Sequence, residues 1–292
     1  MQQPADFNVF HVLDQASSAC RLRHAALGNG MALAHWYRND AEVLGYNSPD
    51  HHTLSLYLEG GWGTFRRDLP GQYGAPDRFC ILPAGHHSDW SVTQGLGFMH
   101  LYISPERLAM ETIQLLDKEP RALQLQERTY MQDPALVTIC RALEQSEWHE
   151  PGERLLCSSL AQEAISHLLL NTCGRRQQVV WRGGLSTLVR RRIKDYIDTY
   201  LSQPLELSEL ADQAMLSSFH FSRMFAVSFG MSPHRYVMAR RLARACSLLQ
   251  HTALPLAQIA LDCGFASASH LSRRFVGVYG ITPGAYRSAL RT

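Results

Sequence analysis

The chain has 292 residues, 46% of them hydrophobic, with 28 Lys+Arg against 26 Asp+Glu and seven cysteines. That length suffices for two domains with a buried core. No apolar run approaches the roughly 18 residues of a membrane span, and Met1-Gln2-Gln3-Pro4-Ala5-Asp6 lacks the basic segment and apolar core of a secretory signal. The cysteines are scattered and form no C-x-x-C pair, so the spacing suggests neither a zinc cage nor a disulfide framework. Reduced thiols and a cytoplasmic location are expected.

Residues 1–103 read as β-rich. Leu54-Ser55-Leu56-Tyr57-Leu58 and Trp62-Gly63-Thr64-Phe65-Arg66 alternate apolar and polar positions, as half-buried strands do, with Gly60-Gly61 between them. Arg78-Phe79-Cys80-Ile81-Leu82 runs into Pro83-Ala84-Gly85, and Gly97 to Ile103 is another strand candidate. Short strands broken by Gly and Pro predict a small sandwich or barrel. His51, His52, His86, His87 and His100 cluster in this region, and His is a common metal ligand. Adjacent strand residues point to opposite faces, however, so at most one of each His pair faces a common interior. A small-molecule pocket lined by His52, Tyr57, Trp62, His86 and Trp90 is the expectation here, with no metal and no cofactor.

Residues 105–173 read as helices. Ser104-Pro105 is a favoured helix start. Leu155, Leu156, Leu160, Ala164, Ile165, Leu168 and Leu169 form one stripe at helical spacing, suited to covering the sheet or to a dimer surface. A polar linker is expected over 174–184. The predicted domains are 1–173 and 185–292.

From Leu185 onward the pattern predicts helices joined by short turns. The first carries Leu188, Ile193, Tyr196, Ile197 and Tyr200 and ends near Pro204; the second opens at Leu207. The third is capped by Ser217 and closed by Gly230, and the fourth runs from Ser232-Pro233 to about Gln250. The fifth runs from Pro255 to Gly264, the sixth from Ser267 to about Tyr279, and the seventh begins at Thr282-Pro283.

Within this region one pattern is written twice at an offset of fifty. Phe221-Ser222-Arg223-Met224-Phe225, Gly230, Ser232-Pro233 and Tyr236 match Leu271-Ser272-Arg273-Arg274-Phe275, Gly280, Thr282-Pro283 and Tyr286. Leu210-Ala211 and Ile259-Ala260 differ by 49, so the turn before Ser267 holds one extra residue. Two copies are too few for a solenoid. Each copy has the layout of a helix-turn-helix, and the fourth helix could hold the two about one duplex turn apart. Charge agrees: residues 171–292 hold 16 Lys+Arg and 6 Asp+Glu, whereas residues 1–170 hold 12 and 20. Such asymmetry suits a nucleic-acid-binding end.

The stretch Leu207–Arg287 resembles the AraC/XylS family of bacterial transcription regulators. The resemblance rests on the repeat above together with Met231, Arg240-Arg241-Leu242-Ala243-Arg244-Ala245, Leu248-Leu249, Gly264-Phe265 and Ile281. It implies an α+β two-domain protein: an N-terminal cupin-like β-barrel with helices, and a C-terminal all-α double helix-turn-helix domain. It further implies double-stranded DNA and RNA polymerase as partners, a small-molecule effector in the N-terminal domain, dimerisation through that domain, no membrane partner, and the role of an activator rather than an enzyme. Base-reading candidates are Phe219, Ser222 and Arg223 in the first unit and Ala268, Ser269, His270 and Arg273 in the second. Ser218, Arg240, Arg244 and Arg274 are candidate phosphate contacts. Phe219 could instead be core, and Arg223 and Arg273 could instead be bracing ion pairs. Glu206 stands where the family offers Ser or Thr as a helix cap, so Ser208 could start the second helix later. The alternative function is a metal-dependent cupin-type enzyme with an appended helical domain, although the H-x-H motif of such enzymes is absent. A DNA-repair alkyl acceptor would need clustered cysteines.

Overall fold

In a computed structural model, residues 4–93, 95–116, 118–171, 173–175 and 183–290 are described. Most of the expected linker therefore lies outside the described residues. The chain forms two compact units: Met1–Leu108 with Gln124–Gly174, and Ala109–Leu123 with Arg175–Thr292.

The first unit begins with helix α1 (Asn8–Gln15) and strands β1 (Ala19–Gly28), β2 (Met31–Arg38), β3 (Glu42–Asn47) and β4 (His52–Gly60). Strands β5 (Phe65–Arg66), β6 (Phe79–Leu82), β7 (His87–Val92) and β8 (Leu96–Ile103) follow. Helix α2 (Pro105–Leu116), which belongs to the second unit from Ala109 on, strand β9 (Arg128–Met131) and helices α3 (Pro134–Gln145) and α4 (Pro151–Asn171) come next. The two larger sheets have the orders β1-β2-β8-β4-β6-β9 and β3-β7-β5, and a third, small sheet pairs the short strands Leu123–Leu125 and Cys173–Arg175. Among the described residues each of the two larger sheets is open and no ladder closes one onto the other, so the expected β-rich domain is observed as two facing open sheets and not as a closed barrel. Their inner faces share one core, in which Trp36, Tyr57, Phe98 and Tyr102 meet Tyr46, Trp90 and Val92. Phe7, Phe10 and Leu13 of the first residues and α1 plug this core. On the stripe of α4, Ala164, Ile165, Leu168 and Leu169 are buried while Leu156 is 46% exposed. Ser158 of α4 donates to the Leu27 carbonyl at 3.0 Å, so this helix covers β1.

The second unit contains α5 (Thr187–Thr199), α6 (Leu207–Gln213), α7 (Ser218–Phe229), α8 (Pro233–His251), α9 (Leu256–Asp262), α10 (Ala268–Tyr279) and α11 (Pro283–Ala289). Their starts follow the caps: the hydroxyls of Ser186, Ser217, Ser232, Ser267 and Thr282 each accept from a backbone N–H in the first turn. Helix α6 starts at Leu207 rather than later, because the Glu209 carboxylate reaches back to accept from the Glu206 N–H at 3.3 Å.

Two cores share α8. Tyr236 and Val237 from its first half join Ile193, Ile197, Leu210, Phe221, Phe225 and Phe229. Leu242, Ala245 and Leu249 from its second half join Ile259, Phe265, Leu271 and Phe275. Met110 and Ile113 of the α2 segment also belong to the first of these cores, a contribution the sequence did not signal.

Candidate nucleic-acid interface

The fifty-residue repeat acquires a physical meaning in the turns. In the first unit the Leu216 N–H donates to the Ala211 carbonyl at 3.0 Å; in the second the Phe265 N–H donates to Ala260 at 2.8 Å. Both are the six-to-one bond that ends a helix by a left-handed residue. That residue is Met215 at φ 55° in one copy and Gly264 at φ 77° in the other. A Cβ on Gly264 would lie 2.4 Å from the Leu201 carbonyl oxygen, so the second turn requires glycine. Ala266 is then the extra residue before the Ser267 cap. The scaffold closes alike in both copies: Phe225 meets Tyr236 at 5.6 Å between ring centroids and 70°, and Phe275 meets Tyr286 at 5.3 Å and 77°.

With these residues inside, a different set faces solvent. On α7, Phe219 is 83% exposed, His220 and Arg223 are exposed, and Ser218 and Ser222 are half-buried. On α10, Ser269, Arg273 and Arg274 are exposed, and Ala268 and His270 are half-buried. Phe219 is thus surface and not core. Among the described residues, Arg223 and Arg273 have no ion pair, so the bracing role has no partner there.

The arginines of α8 divide. Arg244 is exposed. Arg240, the other candidate phosphate contact on this helix, makes a bidentate pair with Asp198 of α5 at 2.9 and 3.0 Å. Its neighbour Arg241 donates to the carbonyls of Leu201 and Gln203 at 3.0 and 2.7 Å. Both brace α8 against the end of α5. Sequence order alone cannot tell Arg240 from Arg244, one helical turn apart; only the position of α5 does so.

Met215 was not singled out by the sequence. It is 82% exposed in a left-handed conformation that a side chain disfavours by about 1–2 kcal/mol. Met215→Gly is expected to raise the stability of the second unit by about 0.5–1 kcal/mol, measured by urea unfolding; a loss of stability would show that the side chain supports the turn.

In the first unit a cavity of about 40 Å³ lies between the facing sheets. Of the five pocket candidates, Tyr57 and Trp90 line it, together with Arg38, Ser55, Thr64, His100 and Phe98. The other three expected residues do not. Trp62 is 65% exposed in the turn after β4. The ring nitrogen Nδ1 of His52 accepts from the Ala84 N–H at 3.0 Å, and strand alternation sets it on the opposite face from Ser55 and Tyr57. His86 is buried with Nδ1 2.9 Å from the Pro83 carbonyl oxygen, outside the cavity wall. Arg38 is 2% exposed and bonded to Ser18 and Glu42 through one terminal nitrogen, whereas its Nε and the Thr64 hydroxyl have no partner. Among the described residues no group of three or more His, Cys, Asp or Glu is placed to hold a metal ion. No helix there is long and apolar enough to cross a membrane.

Burial favours the neutral form of four histidines of this unit, His51, His52, His86 and His100. It lowers His100 to about 3 and His52 to about 4, and it also lowers His51 and His86. A lowered folded pKa means that stability is complete above the unfolded value near 6.5 and is lost as pH falls below it. Each such histidine contributes a slope of about 1.4 kcal/mol per pH unit down to its folded pKa. The first unit is therefore expected to lose stability steeply between pH 6.5 and pH 4, and His100→Gln is expected to reduce that slope by one proton. Thermal unfolding across this range checks it; an unchanged slope in the variant would contradict the assignment.

Comparison with known proteins places these features in a family. A helix-turn-helix domain family matches residues 210–289. The probable transcriptional regulator LumQ of Photobacterium leiognathi is 29% identical over 145 residues, which are 47% of this chain; the chain spans only 58% of that regulator's length. The transcriptional activator RhaR of Cronobacter sakazakii is 24% identical over 258 residues, covering 86% of this chain and 89% of that one. A transcriptional regulator structure from Chromobacterium violaceum, described as containing an AraC-type DNA-binding domain, is 30% identical, with a TM-score of 0.34; the match covers 35% of this chain and 92% of that one. The repeated helix-turn-helix units, the matched domain and the sequence relatives agree, and the chain belongs to the AraC/XylS family of transcriptional regulators.

Proposed function

We propose that this protein is a sequence-specific DNA-binding transcriptional regulator that reads two successive major grooves from one chain. The observation that carries this reading is the pair of similarly capped helices, α7 and α10, each exposing an unpaired arginine at the same helical position. Helix α8, 19 residues long and so about 29 Å in length, spans the two cores between them. That length suits recognition helices roughly one duplex turn apart. Arg223 and Arg273 can each bond guanine O6 and N7, whereas Arg244, Arg274 and Ser218 are suited to phosphates. Excess positive charge in residues 171–292 favours the same ligand.

Electrophoretic mobility shift against the intergenic DNA flanking the gene tests this. Binding is expected to weaken as salt rises, because neutralised phosphates release counterions. No shift at low salt would overturn the reading. The contacted sequence is expected to be two unlike half-sites about one turn apart, since Phe219 and Ser269 occupy equivalent positions. A perfect palindrome read by one chain would contradict this.

The role of activator, with RNA polymerase as partner, is part of the proposal and is supported by the likeness to an activator over most of the chain. So is a small-molecule effector in the first unit, and a homodimer formed through it. The support for an effector is the cavity whose buried Arg38 Nε and Thr64 hydroxyl lack partners, since buried polar groups are normally hydrogen-bonded. At roughly 10–15 Å³ per water-sized group, the cavity holds about three of them, so a larger effector requires its walls to part. In vitro transcription with and without a candidate effector distinguishes activation from repression. No observation favours the enzyme reading.

A further inference from the structure

The cavity between the facing sheets is unequal in its polar groups. Tyr57, Trp90 and Phe98 give it aromatic walls, and none of its lining side chains among the described residues is Asp, Glu, Asn or Gln. Arg38 supplies the one charge. It is 2% exposed, and Ser18 and Glu42 engage only its terminal nitrogen Nη2. Its Nε has no partner. Glu42 is 31% exposed and does not line the cavity, so no counter-charge stands within the walls.

The remaining polar groups are donors as well. The buried Thr64 hydroxyl has no partner. Burial lowers His100 to about 3, so its ring is neutral and carries one hydrogen. Trp36 Nε1 donates to the Tyr102 hydroxyl oxygen at 3.1 Å, and that hydroxyl lies 3.1 Å from His100 Nδ1. The Tyr102 hydrogen goes to Nδ1, which leaves the ring hydrogen of His100 on Nε2. Ser55 stands beside His100 across β4 and β8 and adds a second hydroxyl.

One small space thus gathers a guanidinium N–H, an imidazole N–H and two hydroxyls. Buried donors require acceptors. An amine or a polyol brings further donors, and a cation meets Arg38. A carboxylate supplies two oxygens that only accept, and its hydrogen bonds are of the strong, charge-assisted kind. Size narrows the choice: about 40 Å³ holds about three or four heavy atoms.

We infer that this cavity is a site for a small monocarboxylate of the size of formate or acetate, with its oxygens held by Arg38, Thr64 and His100 and its carbon end against Tyr57 and Trp90. This rests on the effector reading above and names the ligand class of that site.

Calorimetric titration and thermal unfolding of the full-length protein test it. The probes are sodium acetate and sodium formate, with sodium chloride at equal ionic strength and acetamide, which has the shape of acetate without its charge, as controls. Both carboxylates are expected to bind saturably and to raise the unfolding temperature by about 5–10 °C at a hundredfold excess over Kd. Acetamide is expected to bind about tenfold more weakly. Thr64→Val keeps the shape of the wall and removes one donor. It is expected to weaken acetate binding about tenfold, the worth of one hydrogen bond to a charged group, without loss of stability, since the hydroxyl has no protein partner. Arg38→Met is expected to abolish binding; where it does not fold, Thr64→Val decides. Equal binding of acetamide and acetate overturns the carboxylate class but leaves an effector site. Acetate binding undiminished in Thr64→Val overturns the assignment of this cavity. Binding of neither carboxylate overturns the inference, while a transcriptional response to another compound preserves the effector reading. DNA binding stands in every case.

Discussion

Phe225→Ala is expected to cost the second unit about 3–5 kcal/mol, the range for removing a buried aromatic ring. Phe225 is fully buried. It stacks on Phe229 at 4.0 Å and 7°, and it meets Phe221 at 5.5 Å and Tyr236 at 5.6 Å. Removing it opens a cavity where α7 is held to α8, so the recognition helix loses its seat. The loss is a large part of the roughly 5–15 kcal/mol that holds a domain folded. Urea unfolding followed by circular dichroism measures it, and Phe219→Ala on the same helix serves as the reference. Because Phe219 is exposed, its substitution is expected to stay within about 0.5 kcal/mol of the parent. Equal costs at the two positions would contradict the assignment of one to core and the other to surface.

Arg223→Ala and Arg273→Ala are expected to weaken binding to the specific duplex by about 1–3 kcal/mol each, with little change in stability. Their effects are expected to add, because the two residues lie on separate helices with separate cores. Each loss is expected to be confined to the base pair that the arginine faces, so competition with duplexes altered at single positions separates them. Arg240→Ala supplies the contrast. It removes the pair with Asp198, whose side chains are 25% and 32% exposed, so the stability cost is about 1 kcal/mol or less. It is expected to leave base preference intact. If Arg240→Ala relaxed specificity while Arg223→Ala did not, the division of the arginines between bracing and reading would be reversed.

The second unit was largely legible from the chain because its signals are local. A hydroxyl at Ser217, Ser232, Ser267 or Thr282 bonds an amide three residues away, and Gly230 and Gly280 close helices at φ 70° and 74°. Such contacts need no distant partner. The start of α6 was harder, since it depends on Glu209 reaching back to Glu206 in place of a hydroxyl cap. The first unit was less legible. Alternation marked β4 and β5, and Arg78–Leu82 and Gly97–Ile103 were strand candidates, but β1 to β3 carry weaker patterns and were not distinguished. Whether the strands close into a barrel depends on edge pairing between residues far apart in sequence, and among the described residues no such pairing occurs. The placement of the pocket candidates depends on the same long-range pairing. Ser55 and His100 stand side by side across β4 and β8, and both reach the cavity, whereas His52 does not. One step along a strand exchanges faces.

What the sequence determined by itself is the repeat: where helices begin and end, which aromatic residues pair, and that a basic part of the chain carries two similar helices. Tertiary structure decided which chemically identical side chains are free to act. Arg240 and Arg244 lie one turn apart on α8, yet one is held by Asp198 and the other faces solvent. Met215 and Gly264 share a backbone conformation, yet only the first turn leaves room for a side chain, which it presents outward. Caps and apolar periodicity are short-range properties of a chain. Exposure and pairing are set by whatever distant segment packs alongside.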